Sequence, residues 1–239
     1  MESVTGYTFA KKMNLSKQFL LSLLLLAIAA ITACNKQGIH TEGDPDVYKD
    51  YYYKGWSRST EEPEGAKFTL PEGLEFIEAI HYSIDKNEKC FLKDPMSEKA
   101  SGNGSRVMLC VSLYNKTNKP ITIIFPPGLI FISRNKEVQN GLLAEKVSYE
   151  VPANAVDYHQ FNLQCINGER DASNYGSNWD IGPVTNVGPA LELLRFIETK
   201  DLYKDMVQGA IVQVAISEIG DEGKISDFVW SELRKLPNK

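Results

Sequence analysis

From Ala66 onward, apolar and polar positions trade places with the two-residue period of β-strands. Residues 66–70 alternate and stop at Pro71. Residues 106–114 carry the clearest pattern. Val107, Leu109, Val111 and Leu113 share one face, and Met108, Cys110, Ser112 and Tyr114 the other, so both faces are apolar enough for a central strand. Further strands are expected at 121–125, stopped by Pro126-Pro127-Gly128, and at 129–133. Others are expected within 137–146 and, after a lead-in at 149–152, at 157–166, where Phe161, Leu163 and Cys165 share a face. Residues 74–84 fit either a helical stripe (Phe76, Ile77, Ile80, Ile84) or a strand.

The period changes near the C-terminus. Pro189 suits the first turn of a helix whose stripe is Leu191, Leu194 and Ile197. Residues 201–219 read as a buried helix through Met206, Ala210, Val214 and Ser217, while the alternation of Val212, Val214 and Ile216 keeps a strand open. Ser226 is an N-cap for a last helix, with Ile225 and Trp230 as its hydrophobic staple. Residues 167–186 lack a sustained pattern and read as a long polar loop carrying Tyr175 and Trp179.

Short strands divided by turn signals predict a mainly β fold, an antiparallel sandwich over residues 66–187 with a small helical segment, 188–239, packed on it. The stretch from Leu113 to Ile121, a strand running into the turn Asn115-Lys116-Thr117-Asn118-Lys119-Pro120, resembles immunoglobulin-like modules of secreted bacterial proteins. That resemblance covers about residues 105–167 and implies an immunoglobulin-like arrangement.

Residues 1–33 have a different character. Lys11, Lys12 and Lys17 precede an apolar run from Phe19 to Ile31, short for a membrane span of ~20 residues. The run ends in Ile31-Thr32-Ala33-Cys34, which resembles the lipobox of bacterial lipoproteins; the resemblance covers residues 13–34, with Met13 as a conventional start. It implies cleavage before Cys34 and acyl chains on its sulfur, each buried CH2 adding ~0.8 kcal/mol to membrane attachment. Asn35 and Lys36, with no Asp after the cysteine, imply sorting to the outer membrane, on either face. Residues 34–65 then read as a tether punctuated by Gly and Pro. Within it Tyr48, Tyr51, Tyr52, Tyr53 and Trp56 cluster, either as a stacking platform for a ligand or as rings docked on the body.

The full chain has a net charge of −5, and residues 34–239 alone carry −7, without a basic block that would attract nucleic acid. Export permits disulfides, and Cys90, bordering a charged turn, pairs with either Cys110 or Cys165 if a bridge forms. No catalytic motif, metal run or cofactor fingerprint is present: His40, His81 and His159 are far apart, and no G-x-S-x-G, P-loop or dinucleotide-binding signature occurs. His159 and Cys165 share a strand face at an even spacing, the one arrangement resembling a dyad. The chain therefore reads as a lipid-anchored, non-catalytic binding or adhesion module for a glycan or protein, with Tyr51, Tyr53, Trp56, Tyr175 and Trp179 as candidate contacts. An accessory subunit of an envelope complex is the alternative, and a hydrolase built on the 167–186 loop a third reading.

Overall fold

A computed structural model describes residues 52–83, 89–90, 100–202 and 206–239. The expected signal segment, Cys34, Tyr48 and Tyr51 lie outside the described residues. Eleven strands and three helices follow one another in the described chain. The strands are β1 (Gly65–Ala66), β2 (Leu74–Phe76), β3 (Ile80–Tyr82), β4 (Ala100–Ser101), β5 (Val107–Asn115), β6 (Ile121–Phe125), β7 (Leu129–Ser133), β8 (Gly141–Leu142), β9 (Val147–Val151), β10 (Val156–Cys165) and β11 (Asn178–Thr185). The helices are α1 (Gly188–Ile197), α2 (Met206–Glu222) and α3 (Asp227–Leu233).

The architecture is mainly β, but the immunoglobulin-like sandwich is overturned. Six strands close on themselves in the order β5-β3-β11-β7-β8-β10 and back to β5, every pairing antiparallel. A sandwich would leave two open sheets; here the ring is a barrel. The strand that makes closure possible is β11, which lies inside the stretch 167–186 expected to be a loop. It joins β3 to β7, and without it the ring has a gap. Its pattern was concealed by Asp180, Gly182 and Pro183. A register shift between Ile181 and Val184 accommodates them, since Pro183 has no N–H to give a ladder and a bulge asks for none.

Strand lengths also differ from expectation. The segments 66–70 and 137–146 contribute only the two-residue strands β1 and β8, and 74–84 resolves into β2 and β3 rather than a helix. The long ribbon is β5 with β10, paired from Val156↔Tyr114 to Leu163↔Val107. The inward faces of Val107, Leu109, Val111, Leu113, Phe161, Leu163, Phe131 and Trp179 fill the barrel, all buried. A two-stranded ribbon, β6 with β9, adds Ile123, Phe125, Val147 and Val151 to that cluster and turns Thr122, Ile124, Ser148 and Glu150 outward. The turn into β6 is held by Asn115, fully buried. Its amide donates to Lys119 O and Val151 O, and its carbonyl oxygen accepts from Thr117 N and Oγ1.

The helices form a second core against the outside of the barrel. Ile130, Leu142 and Ile166 meet Ala190, Leu193, Leu194 and Ile197 of α1 and Ile211, Val212, Ala215, Ile216 and Ile219 of α2. Strand β7 thus faces two cores and is apolar from Leu129 to Ile132, as a strand covered on both sides must be. The repeat of 211, 212, 215, 216 and 219 explains why Met206–Glu222 is helical despite its β-branched residues: one stripe meets the barrel at the 3.6-residue period. Gly223, at φ 73°, ends α2 with its N–H on Ile219 O. Ser226 caps α3, its Oγ accepting from Val229 N at 3.3 Å, and Glu218 in turn accepts from both Ser226 N and Oγ.

The helix layer also carries a strap. Trp56 is fully buried in the second core, Tyr53 donates its hydroxyl to Gly223 O at 3.0 Å, and Ser57 bonds Asp221. Asn167 donates to Gly55 O and Ser57 O while accepting Asn140 N, and Asn140 accepts Ser133 N. This buried chain of amides stitches strap to barrel, so residues 52–59 belong to the folded body rather than to a free tether. Gln213 of α2 works similarly where β10 runs out of partners: it accepts from Cys165 N and donates to Cys165 O, both at 2.8 Å, standing in for a neighbouring strand.

Candidate functional site

The sequence-named aromatic residues do not gather into one surface. Trp56 is 0% exposed in the helix-layer core, and Trp179 is 1% exposed inside the barrel with its indole N–H on Gln139 O. Tyr53 is half-buried, edge-on to Trp56 at 6.5 Å. Tyr175 is exposed, edge-on to Tyr82 at 5.5 Å. The structure brings Tyr53 and Trp56 together for packing and leaves Tyr175 apart from both. Tyr51 lies outside the described residues.

Titratable groups on β10 do not form a dyad. His159 stacks on Tyr149 of β9 with centroids 4.2 Å apart and planes 2° from parallel. Burial pushes its imidazole down to about 4, so it stays neutral near pH 7, and burial together with nearby Asp157 pushes the Tyr149 phenol up. Cys165 is buried on the same strand face, but six residues of strand put it ~20 Å from His159. The other two described cysteines, Cys90 and Cys110, form a disulfide with Cα atoms 5.4 Å apart. Cys110 also lies in a group with Glu78 and His81 whose ligand atoms fall within 4.8 Å of one another.

The structure does build a polar cleft of about 380 Å³ on the outside of the barrel. Its floor is Ile132 of β7 and Ile181 of β11, and Thr60, Glu61 and Glu62 form a wall where the strap ends. Arg134 and Asp180 meet across it through two parallel bonds, Nε to Oδ2 at 3.0 Å and Nη2 to Oδ1 at 2.7 Å. That carboxylate raises the Arg134 pKa further, so the guanidinium is permanently charged. Arg170 is pinned by a bond to Ser59 O; burial lowers its pKa, opposed by Glu137, Cys165 and Glu62. Lys136 completes a set of three cations facing three carboxylates. Planar forks of both signs above a small apolar floor can accept and donate in pairs, which suits hydroxyl pairs or peptide groups. A second cavity of about 350 Å³ lies beside α1, where Lys239 faces Glu145 at 3.9 Å.

Arg170, Asp180 and Ile181 fall in the stretch 167–186 that the sequence offered as a functional loop, but no cleft residue was named individually. The cleft residues come from separate segments, with Arg134 and Asp180 46 positions apart. The signal that would have found them is the pairing of β7 with β11, which sets Asp180 opposite Ile132 and ties Arg134 N to Asn178 O. Compared with models of protein families, with curated proteins and with solved structures, the chain finds no match in any of the three.

Proposed function

We propose that the protein is an exported lipoprotein, held at the outer membrane through acylated Cys34, whose body is a non-catalytic binding module for a polar ligand, a glycan or a peptide segment of a protein. The observation that supports this best is the cleft: fork-shaped side chains of both signs, Asp180 on β11 and Arg134 just past the end of β7, above an apolar floor. The Arg134–Asp180 pair is about half exposed and therefore worth at most ~1 kcal/mol, so a ligand displaces it at little cost and inherits both forks. Among the described residues no helix is long and apolar enough to cross a membrane, and attachment in this reading rests on the lipid alone.

Two experiments test it. Cys34→Ser is expected to abolish incorporation of labelled fatty acid and to release the protein from membranes; retention of both attachment and label removes the anchor. A glycan and peptide array probed with wild type and with the Arg134→Ala, Asp180→Ala double variant is expected to give hits that the variant loses. Hits that survive the double substitution place binding elsewhere, and an empty array removes the cleft as a glycan or peptide site.

A further inference from the structure

Among the described residues, Glu78, His81 and Cys110 form a group that neither the barrel core nor the cleft accounts for. His81 and Cys110 are direct cross-strand partners in the β3–β5 pair, so their side chains leave the sheet on the same face. Glu78 sits in the bend before β3 and brings a carboxylate oxygen to the same place, the three ligand atoms lying within 4.8 Å of one another. Cys90 brings a fourth donor, because its sulfur is bonded to that of Cys110. His81 Nδ1 is 3.0 Å from Ala79 O, a bond that places the ring proton on Nδ1 and the lone pair on Nε2.

We propose that reduction of the Cys90–Cys110 disulfide converts this corner of the barrel into a site for a divalent cation of the zinc class, with Cys90, Cys110, His81 and Glu78 as ligands. Two thiolates, an imidazole and a carboxylate are a donor set that tetrahedral zinc takes. Metal–ligand bonds of ~2.0–2.3 Å set ligand atoms ~3.3–3.8 Å apart in a tetrahedron, so Glu78, His81 and Cys110 close by shifts of about 1 Å while the two sulfurs, once their bond is cut, move apart by about 2 Å. Glu78, the exposed member, has the room to make them.

The chemistry balances. A dithiol reductant passes two electrons and two protons to the S–S bond, becoming a disulfide and leaving two thiols. Zinc then displaces both thiol protons to water as two Zn–S bonds form, while the imidazole stays neutral and the carboxylate stays ionised. The resulting site carries one excess negative charge. The ammonium of Lys89, held by Tyr158 Oη at 2.9 Å and attracted by Glu78, offsets it. In an oxidising compartment the disulfide keeps the site closed, so metal uptake reports reduction.

The test uses Co2+ as a probe on the full chain carrying Cys34→Ala and Cys165→Ala, oxidised and reduced. The reduced chain is expected to bind one Co2+ with a sulfur-to-cobalt charge-transfer band and the strong visible bands of a tetrahedral ion; the oxidised chain shows neither. His81→Ala and Glu78→Gln are each expected to weaken binding by roughly tenfold or more. Absence of the charge-transfer band from the reduced, folded chain overturns the proposal, as does a band that neither substitution changes. If the reduced chain loses its fold, recovery of a cooperative melting transition on adding Zn2+ supports the site, and a chain that stays unfolded with Zn2+ overturns it.

Discussion

Replacing Trp56 with alanine tests whether the strap is part of the fold. A fully buried tryptophan removes about 150–250 Å² from water, worth ~4–6 kcal/mol at ~25 cal/mol per Å². Against this stands its indole N–H, buried without a hydrogen-bond partner, which costs ~1–3 kcal/mol. The net is about 3 kcal/mol lost in Trp56→Ala. Trp56→Phe keeps most of the ring area and removes the orphan donor, so it is expected to cost about 1 kcal/mol or less. The assay is urea unfolding followed by far-ultraviolet circular dichroism, which does not depend on the lost fluorophore. With a slope near ~2 kcal/mol per M, the alanine variant's midpoint falls by about 1.5 M. Asn167→Ala, which frees Gly55 O and Ser57 O, is expected to couple to Trp56→Ala by about 1 kcal/mol, because undocking the strap loses both contributions once. A midpoint shift in Trp56→Ala below ~0.3 M, or a phenylalanine variant as damaged as the alanine one, refutes the docked strap.

Three other expectations follow from the same physics. His159 has a folded pKa of about 4 against an ordinary 6.5, so between those values the unfolded chain takes a proton that the native state refuses. Stability is full above pH 6.5 and falls by up to about 3 kcal/mol as pH drops towards 4; a His159→Gln variant with the same pH profile as wild type contradicts this. Gln213→Ala leaves the buried N–H and C=O of Cys165 without the bonds at 2.8 Å and is expected to cost ~2–4 kcal/mol in calorimetry, a loss under ~1 kcal/mol counting against the role given to Gln213. A Cβ at Gly104 falls 2.0 Å from the Leu163 backbone, so Gly104→Ala costs about 3 kcal/mol or more, whereas Gly188→Ala meets nothing within 4 Å and is expected to be neutral or slightly stabilising; equal melting temperatures for the two variants refute that contrast.

The residues explain what was legible in the sequence. Strands β5, β6, β7 and β10 were visible because each has a buried face long enough to repeat. The start of α1 showed through Pro189, and α3 through Ser226 and its staple. Strands β3 and β8 are too short to carry a period, and β11 spends three of its eight positions on Asp180, Gly182 and Pro183. Closure of a ring depends on which distant strands meet, and no local pattern states that. The cleft was illegible for the same reason, since its forks face one another only after β7 and β11 pair. Trp56 and Trp179 were conspicuous by type, yet their burial is decided by cores that draw on residues far along the chain.

The ring has thick and thin joints. Eight residue pairs bind β10 to β5, while β8 holds β7 by two pairs and β10 by two, and β3 likewise holds β5 by two and β11 by two. Mechanically the barrel is two sturdy ribbons riveted along two narrow seams. Breathing should begin at those seams, so the amides of Gly141, Leu142, Ile80 and His81 are expected to trade their hydrogens for deuterium well before the middle of β5 does. One seam is clamped from outside by the asparagine chain and Gln213, and the other is braced by the sulfur bridge at Cys110, which puts the fold's reinforcements where its ladder is weakest.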